Sequence, residues 1–455
     1  MELLTYPFTE DRYLYQQLYQ FIKDDILTGR LTFNEKLPSK RKLSQHLGIS
    51  QTTVEIAYQQ LQDEGFIYSK PKVGYFVEDI KTVNSAPRNT TEDISLNEAV
   101  DRLSLTIEDS HQPKFPFQLF RKYARDAFEM EQSVLLERGD HQGEPALRNE
   151  IRRYLYHSRG VNCKNEEIII GSSTEQLFSL LTHLLPGASY LLENPGYPTI
   201  RRVLEYEHIP YRNIHVDDEG IIVDELTGNG SIVHVTPSHQ FPTGAVLSAG
   251  RRTELLAWAA ADEAHYIIED DYDSEFRYKG RPLKALQGMD SSEKVIYMST
   301  FSKSIFPSIR IAYMVLPPLL LQRYRQLPHK PSITVPRHMQ YIVTQFMQDG
   351  EFERNINRMR KIYKRKLELT LAALEPYKER INIRGEYAGM HFIVEVKGAD
   401  TISDKIKQLD VKVNMLSDYM DEDKNEAYNH FVLGFGGLED HDIEKVMTSL
   451  MTELL

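Results

Sequence analysis

Lys303 is the residue of this chain best placed for covalent chemistry. It lies between Ser302 and Ser304, just past the apolar run Val295, Ile296, Tyr297 and Met298, and Arg310 follows seven positions later in "STFSKSIFPSIR". A lysine amine becomes a nucleophile when it is desolvated or set beside another cation, because both lower its pKa. Four further segments end branched-apolar runs with side chains suited to binding. Ser173 and Thr174 follow "EEIIIGSS" and open the helical stretch "EQLFSLLTHLL", and small hydroxyl residues at a helix start make a seat for phosphate. Tyr197 sits on the rigid turn of "ENPGYP", His239 and Gln240 precede the proline turn of "SHQFPTG", and Asp270 and Tyr272 close "HYIIEDDYD". Taken singly, each has a plainer reading: a glycine-serine turn, a packing aromatic, a solvated acidic loop.

Taken together they share a position. From residue 111 on, helical segments alternate with short branched-apolar runs, which argues for an α/β domain with a mainly parallel sheet covered by helices. Ligands of such sheets collect at the carboxyl ends of the strands, and each run ends in polar residues. A ligand served by all of them is a flat ring with a phosphate, an acidic oxygen, a basic ring nitrogen and an aldehyde. Pyridoxal 5'-phosphate has those groups.

The first eighty residues pose a different problem. Tyr15, Leu18, Tyr19, Ile22 and Ile26 fall on one helical face that Gly29 ends. Ser39 starts a second helix with Leu43 and Leu47 inward, Gly48 turns the chain, and Ser50 caps a third helix with Val54, Ala57, Tyr58 and Leu61 buried. This is a helix-turn-helix outline. Gln51, Thr52 and Thr53 open the third helix, where hydrogen-bonding side chains meet base edges, and Lys40 and Arg41 lie upstream at the phosphates. "FIYSKPKVGYFVE" reads as a hairpin, strands 66–68 and 75–77, with Lys72 and Gly74 at its tip. Double-stranded DNA is the expected partner.

The bulk composition bounds these readings. At 455 residues the chain exceeds one hydrophobic core, so residues 1–80 form one domain, 81–110 a linker and 111–455 a second domain. A net charge of −12 argues against indiscriminate polyanion binding, so DNA contact must come from a local basic patch. The first ten residues lack the pattern of a signal peptide and Cys163 is the single cysteine, so a reducing cytoplasm is the expected compartment. Metal-ligand spacing is absent: no helix carries paired histidines. His391 reads as packing and the run "DYMDEDKNE" as a solvated loop.

The stretch from "LPSKRKLSQHLGIS" through "LQDEGFIYSKPKVGYFV" resembles the winged helix-turn-helix of GntR-type bacterial regulators, with Gln51 where arginine often follows the capping serine. Residues 111–455 resemble fold-type I aminotransferases, with a smaller C-terminal α+β subdomain, and the whole chain is similar to the MocR-type regulators. The resemblance implies that Lys303 forms the Schiff base with the cofactor aldehyde, Asp270 faces the pyridine nitrogen and Tyr272 bonds the ring hydroxyl. It likewise implies that Tyr197 stacks on the ring and that Ser173, Thr174, Ser302 and Arg310 hold the phosphate. Two departures stand out. Phe241 replaces the asparagine of the aminotransferase Asn-Pro-Thr-Gly, leaving His239 or Gln240 to contact the ring oxygen. Gly437 and Thr199 stand where amino-acid-responding members carry carboxylate-binding arginines; no arginine follows Arg384, and of the two places open to Arg201 and Arg202, reaching inward or lying on a helix surface, the surface is the expected one. Without that guanidinium clamp an amino acid is unanchored. The expected function is therefore a sensor of pyridoxal phosphate, not an enzyme. It would be of the PdxR-type branch, a head-to-tail homodimer activating genes for synthesis of the cofactor. A GabR-type sensor of an amino acid such as GABA is the alternative, and an active aminotransferase a third.

Overall fold

Two serines open the helices of the first unit. In this computed structural model, which describes residues 4–9, 13–80, 103–106, 115–129, 135–228, 231–280, 283–330, 332, 334–409 and 411–455, the chain divides into units Met1–Ala99 and Val100–Leu455. Helix α1 (Leu14–Leu27) buries Leu18, Tyr19, Ile22 and Ile26. Helix α2 (Lys40–Leu47) starts at Ser39, whose Oγ accepts from the Lys42 backbone N–H, and stops at Gly48 in the left-handed conformation, φ 66°. Helix α3 (Gln51–Asp63) starts at Ser50, whose Oγ accepts from the Thr53 N–H at 3.0 Å. Val54, Ala57, Tyr58 and Leu61 are buried as their spacing predicts, and the Tyr58 hydroxyl donates to the Pro38 carbonyl at 2.9 Å. The hairpin comprises β1 (Ile67–Lys70) and β2 (Gly74–Val77). It pairs as far as Lys70↔Gly74, longer at the tip than the expected strands, because Lys72 takes a left-handed conformation that closes a tighter turn.

In the second unit, part of the expected linker is structured. Residues 81–102 and 107–110 lie outside the described residues, but β3 (Leu103–Ser104) pairs with β14 (Val411–Lys412), and Leu105 is fully buried with its carbonyl accepting from Gly434 at 2.7 Å. Burial of Leu105 in the C-terminal core draws this stretch out of the linker.

The central sheet is built from β4 (Ile168–Gly171), β5 (Tyr190–Asn194), β6 (Tyr211–Asp217), β7 (Gly220–Ile221), β8 (Ile232–Val235), β9 (Tyr266–Asp271), β10 (Val295–Thr300) and β11 (Ala312–Val315). Their order is β4-β11-β10-β9-β8-β5-β6-β7. Strands β10, β9, β8, β5 and β6 pair in parallel, whereas β11 is antiparallel to both neighbours, which leaves β4 pointing with the central strands. The sheet is thus mixed at its edges and parallel at its centre. Strands β5, β8 and β9 are buried along their whole length, as a sheet covered on both faces requires. One face packs Phe178, Leu181, Leu204 and Leu320; the other packs Leu255, Ala259 and Leu286. After the long helix Glu351–Leu374 an antiparallel sheet follows, of β12 (Ile381–Arg384), β13 (His391–Val396), β16 (His430–Gly434) and β15 (Asn414–Met415). No helix among the described residues is long and apolar enough to cross a membrane.

Ser50 satisfies a backbone donor of α3 and also lies 2.8 Å from the Thr53 hydroxyl. Replacing it with alanine is expected to destabilise the first unit by ~1 kcal/mol, read as a lower denaturant midpoint with an unchanged slope.

Candidate functional site

The carboxyl ends of β4, β5, β8, β9 and β10 open on one cavity of about 310 Å³. Ser173, Thr174, Tyr197, Asp270, Tyr272, Ser302, Lys303 and Arg310 all line it. The loop 301–311 brings the last three together. Thr300 and Ala312 are paired across β10 and β11, and Phe301 donates to the Ile311 carbonyl at 2.9 Å, so the loop closes on itself. Arg310 closes it in the left-handed region, φ 49°, a conformation costly for a side chain bearing Cβ and concentrated at functional sites.

Ser173 and Thr174 bring a helix start to the cavity wall, where they would suit a phosphate. Ser173 caps the helix Thr174–Leu184, its Oγ accepting from Gln176 N–H at 3.1 Å. The positive end of the helix dipole and the cation of Arg310 therefore serve the same cavity, a favourable setting for a phosphate dianion.

Asp270 supplies the opposite charge. It is 4% exposed, and its Oδ1 has no hydrogen-bond partner among the described residues. His234 Nε2 lies 3.5 Å from its other oxygen, Oδ2. A buried carboxylate oxygen left unbonded is expensive, and a cationic N–H from a ligand ring is the partner that removes the cost. Beside it, burial and then the charges of Asp273 and Asp270 raise the Tyr272 phenol well above its usual range, so Tyr272 keeps its proton.

His239 and Gln240 are not brought to the cavity. Gln240 is spent on the backbone: its amide nitrogen donates to the Pro195 and Phe241 carbonyls, and its oxygen accepts from Thr243. It holds the proline turn in shape. His239, 1% exposed, stands behind Tyr272 with Nδ1 3.0 Å from the hydroxyl. Phe241 itself takes the wall, its ring edge-on to Tyr197 at 5.3 Å and to Tyr272 at 5.9 Å.

Several lining residues were not legible in the sequence. Thr236 lies one residue past β8, and its hydroxyl donates at 2.8 Å to Glu193, whose carboxyl burial pushes up to about 7. Extending the strand-end rule by one residue finds it. Asn414 and Tyr419, bonded to each other at 2.6 Å, arrive from the C-terminal subdomain, and no local pattern marks them. Arg202 also lines the cavity, with Thr199 hydrogen-bonded to its guanidinium at 3.3 Å. Its expected place on the helix surface is right for exposure and incomplete for function. Arg201 instead pairs with Asp421 at 3.5 Å. The segment 418–426, expected to be solvated, is anchored at its start: Asp421 accepts from Asn213 at 3.1 Å and its N–H donates to Asn194. Gly437 is away from the cavity, between carbonyls that the buried Lys366 ammonium binds. Nearer the site, β16 contributes Val432 to an apolar cluster with Phe241 and Tyr419.

In the first unit, Arg41, Gln51, Thr52 and Lys72 are exposed at the start of α2, the start of α3 and the hairpin tip. Lys40 is partly engaged, 2.7 Å from Glu55, and Thr53 is half-buried beside its cap. Gly74 pairs across the hairpin with Lys70.

Residues 106–419 match the family model for aminotransferase class I and II, and residues 14–77 match that for bacterial regulatory proteins of the gntR family. The chain is 38% identical to the uncharacterized HTH-type transcriptional regulator YdeL of Bacillus subtilis, covering 97% of each chain. It is 32% identical to the probable rhizopine catabolism regulatory protein MocR of Rhizobium meliloti over 77% of this chain and 75% of that one. It is 29% identical to the HTH-type pyridoxine biosynthesis transcriptional regulator PdxR of Corynebacterium glutamicum over 95% and 94%. In fold it is similar to a kynurenine aminotransferase of Pyrococcus horikoshii, TM-score 0.68 at 24% identity, over 79% of this chain and 92% of that one.

The aminotransferase match and the donor set agree on pyridoxal 5'-phosphate as the cofactor of the cavity. Bound there, it would supply an electrophilic aldehyde; Lys303 would offer the amine, Asp270 a counter-charge, and Ser173, Thr174 and Arg310 an anchor for the phosphate. Asp270→Asn is expected to weaken cofactor binding by about ten- to a hundredfold, the worth of one charge-assisted hydrogen bond, measured by equilibrium titration of absorbance. A GntR helix-turn-helix for DNA and an aminotransferase-like domain in one polypeptide, together with near full-length similarity to HTH-type regulators, show that the chain belongs to the MocR-type regulators of the GntR superfamily.

Proposed function

We propose that this chain is a pyridoxal phosphate-responsive transcriptional regulator of the PdxR kind. The first unit binds promoter DNA through Arg41, Gln51, Thr52 and Lys72, and the second senses the cofactor instead of running a transamination. The genes it activates are those for making the cofactor, and it works as a head-to-tail homodimer. One observation carries the choice of signal: toward the C-terminal subdomain the cavity borders an apolar cluster of Phe241, Tyr419 and Val432, where a carboxylate clamp would need a cation. The similarity to a pyridoxine biosynthesis regulator over 95% of the chain supports the same choice.

Arg202 favours a second reading. A guanidinium lining the cavity can grip a carboxylate, which suits an amino-acid effector of the GabR type laid over the cofactor.

The test uses the full chain and DNA recovered by selection from a random pool. Pyridoxal phosphate should change the affinity for that DNA several-fold, and Lys303→Ala should abolish the response while leaving DNA binding intact. Arg41→Ala should weaken binding and reduce the salt slope by about one. No response to pyridoxal phosphate would overturn the proposal. A response confined to an amino acid, lost in Arg202→Ala, would install the second reading.

A further inference from the structure

His239 and Asp273 form a buried pair whose hydrogen bonds can be assigned. His239 Nδ1 lies 2.9 Å from Asp273 Oδ2 and 3.0 Å from the Tyr272 hydroxyl, and its Nε2 has no hydrogen-bond partner among the described residues. A carboxylate only accepts, so Nδ1 carries the hydrogen. A ring nitrogen bearing a hydrogen has no lone pair to receive one from Tyr272. The hydroxyl oxygen must therefore accept at this side, and its own hydrogen is left for the cavity.

The surroundings hold this arrangement. His391, on β13, packs 4.9 Å away between ring centroids, its Nε2 bonded to the Pro242 carbonyl at 3.2 Å and its Nδ1 unpartnered among the described residues. Burial, before any neighbouring charge, keeps His391 neutral by lowering its pKa well below the usual value. Arg159 and Arg277 line a small void on the other flank of His239. Nε2 of His239 faces no acceptor among the described residues, so a hydrogen placed there would be buried without a partner. Gly389 locks the ring in place: a Cβ there would lie 2.2 Å from His239 Cε1 and 2.5 Å from Asp273 Oδ2.

We infer that His239, oriented by Asp273, is a positioning residue that makes Tyr272 an obligate hydrogen-bond donor to the acidic ring oxygen of the bound cofactor. The dyad compensates for Phe241: where the asparagine is missing, one donor remains, and His239 fixes its direction. This rests on the reading of the cavity as a pyridoxal phosphate site.

A donor aimed at the ring oxygen stabilises its anion, so it lowers the pH at which the long-wavelength absorbance of the loaded protein titrates. In His239→Phe the Tyr272 hydroxyl loses the partner that fixes its direction, and the midpoint of that titration should rise by about one unit. His239→Asn, whose amide nitrogen falls near Nδ1, should restore it. Asp273→Asn, nearly isosteric, should also raise the midpoint and serves if the phenylalanine variant fails to fold. In a Tyr272→Phe background neither substitution should move the midpoint further. A loaded His239→Phe or Asp273→Asn protein with the unaltered midpoint, or an equal shift in the Tyr272→Phe background, would overturn this inference alone. Failure of the unsubstituted protein to take up pyridoxal phosphate would instead overturn the reading of the site.

Discussion

The parallel pairing of β9 with β10, in the register Met298↔Asp270, is the constraint on which the site depends. It places Asp270 beside the strand that runs on into the 301–311 loop, so the counter-charge for a ring nitrogen and the amine for an aldehyde emerge at one edge of the sheet. A slip of one residue would send Asp270 to the opposite face and bring Asp271 to the cavity. Every other part of the cavity is arranged around that pair.

The register is guarded from below. Asp271, the next residue along β9, accepts from Arg159 Nε at 2.7 Å and from the Tyr297 hydroxyl at 2.5 Å, while Arg159 also donates to the Ser238 hydroxyl at 2.7 Å. One buried guanidinium thus ties β9 to the loop after β8, and the Tyr297 hydroxyl ties β9 to β10. All three partners are nearly inaccessible to solvent, with Arg159 3% and Asp271 2% exposed. A buried ion pair of this kind is a weak source of net stability but a strict geometric requirement, because removing either partner strands a charge. Two adjacent aspartates therefore divide the labour: Asp271 holds the frame through its Oδ2, which Arg159 and Tyr297 share, while Asp270 keeps an unbonded oxygen at the cavity.

Most of the fold was legible where one local rule decides the outcome. Serine caps, the left-handed glycine at 48 and three-and-four spacing fix α1 to α3, and branched runs ending in polar residues fix the central strands, whose ends bring eight of the ten singled-out residues to one cavity. What escaped was decided by distant chain. Asn414 and Tyr419 reach the cavity across more than a hundred residues of helix and a separate sheet. Leu105 reads as linker until the core that buries it is known. Gln240 and His239 stand off the cavity for a different reason: a strand end says which residues gather at the site, but it cannot distinguish a side chain that lines the cavity from one that braces the lining. The cluster of His239, Asp273 and His391, drawn from three separate segments, has no spacing to betray it.

The central claim is that the amine of Lys303 captures the cofactor aldehyde at this sheet edge. Borohydride reduction of the full chain after incubation with pyridoxal phosphate, followed by peptide mass mapping, tests it most directly. The account predicts one phosphopyridoxyl group on the peptide containing Lys303. Modification spread over surface lysines with Lys303 unmodified would contradict it.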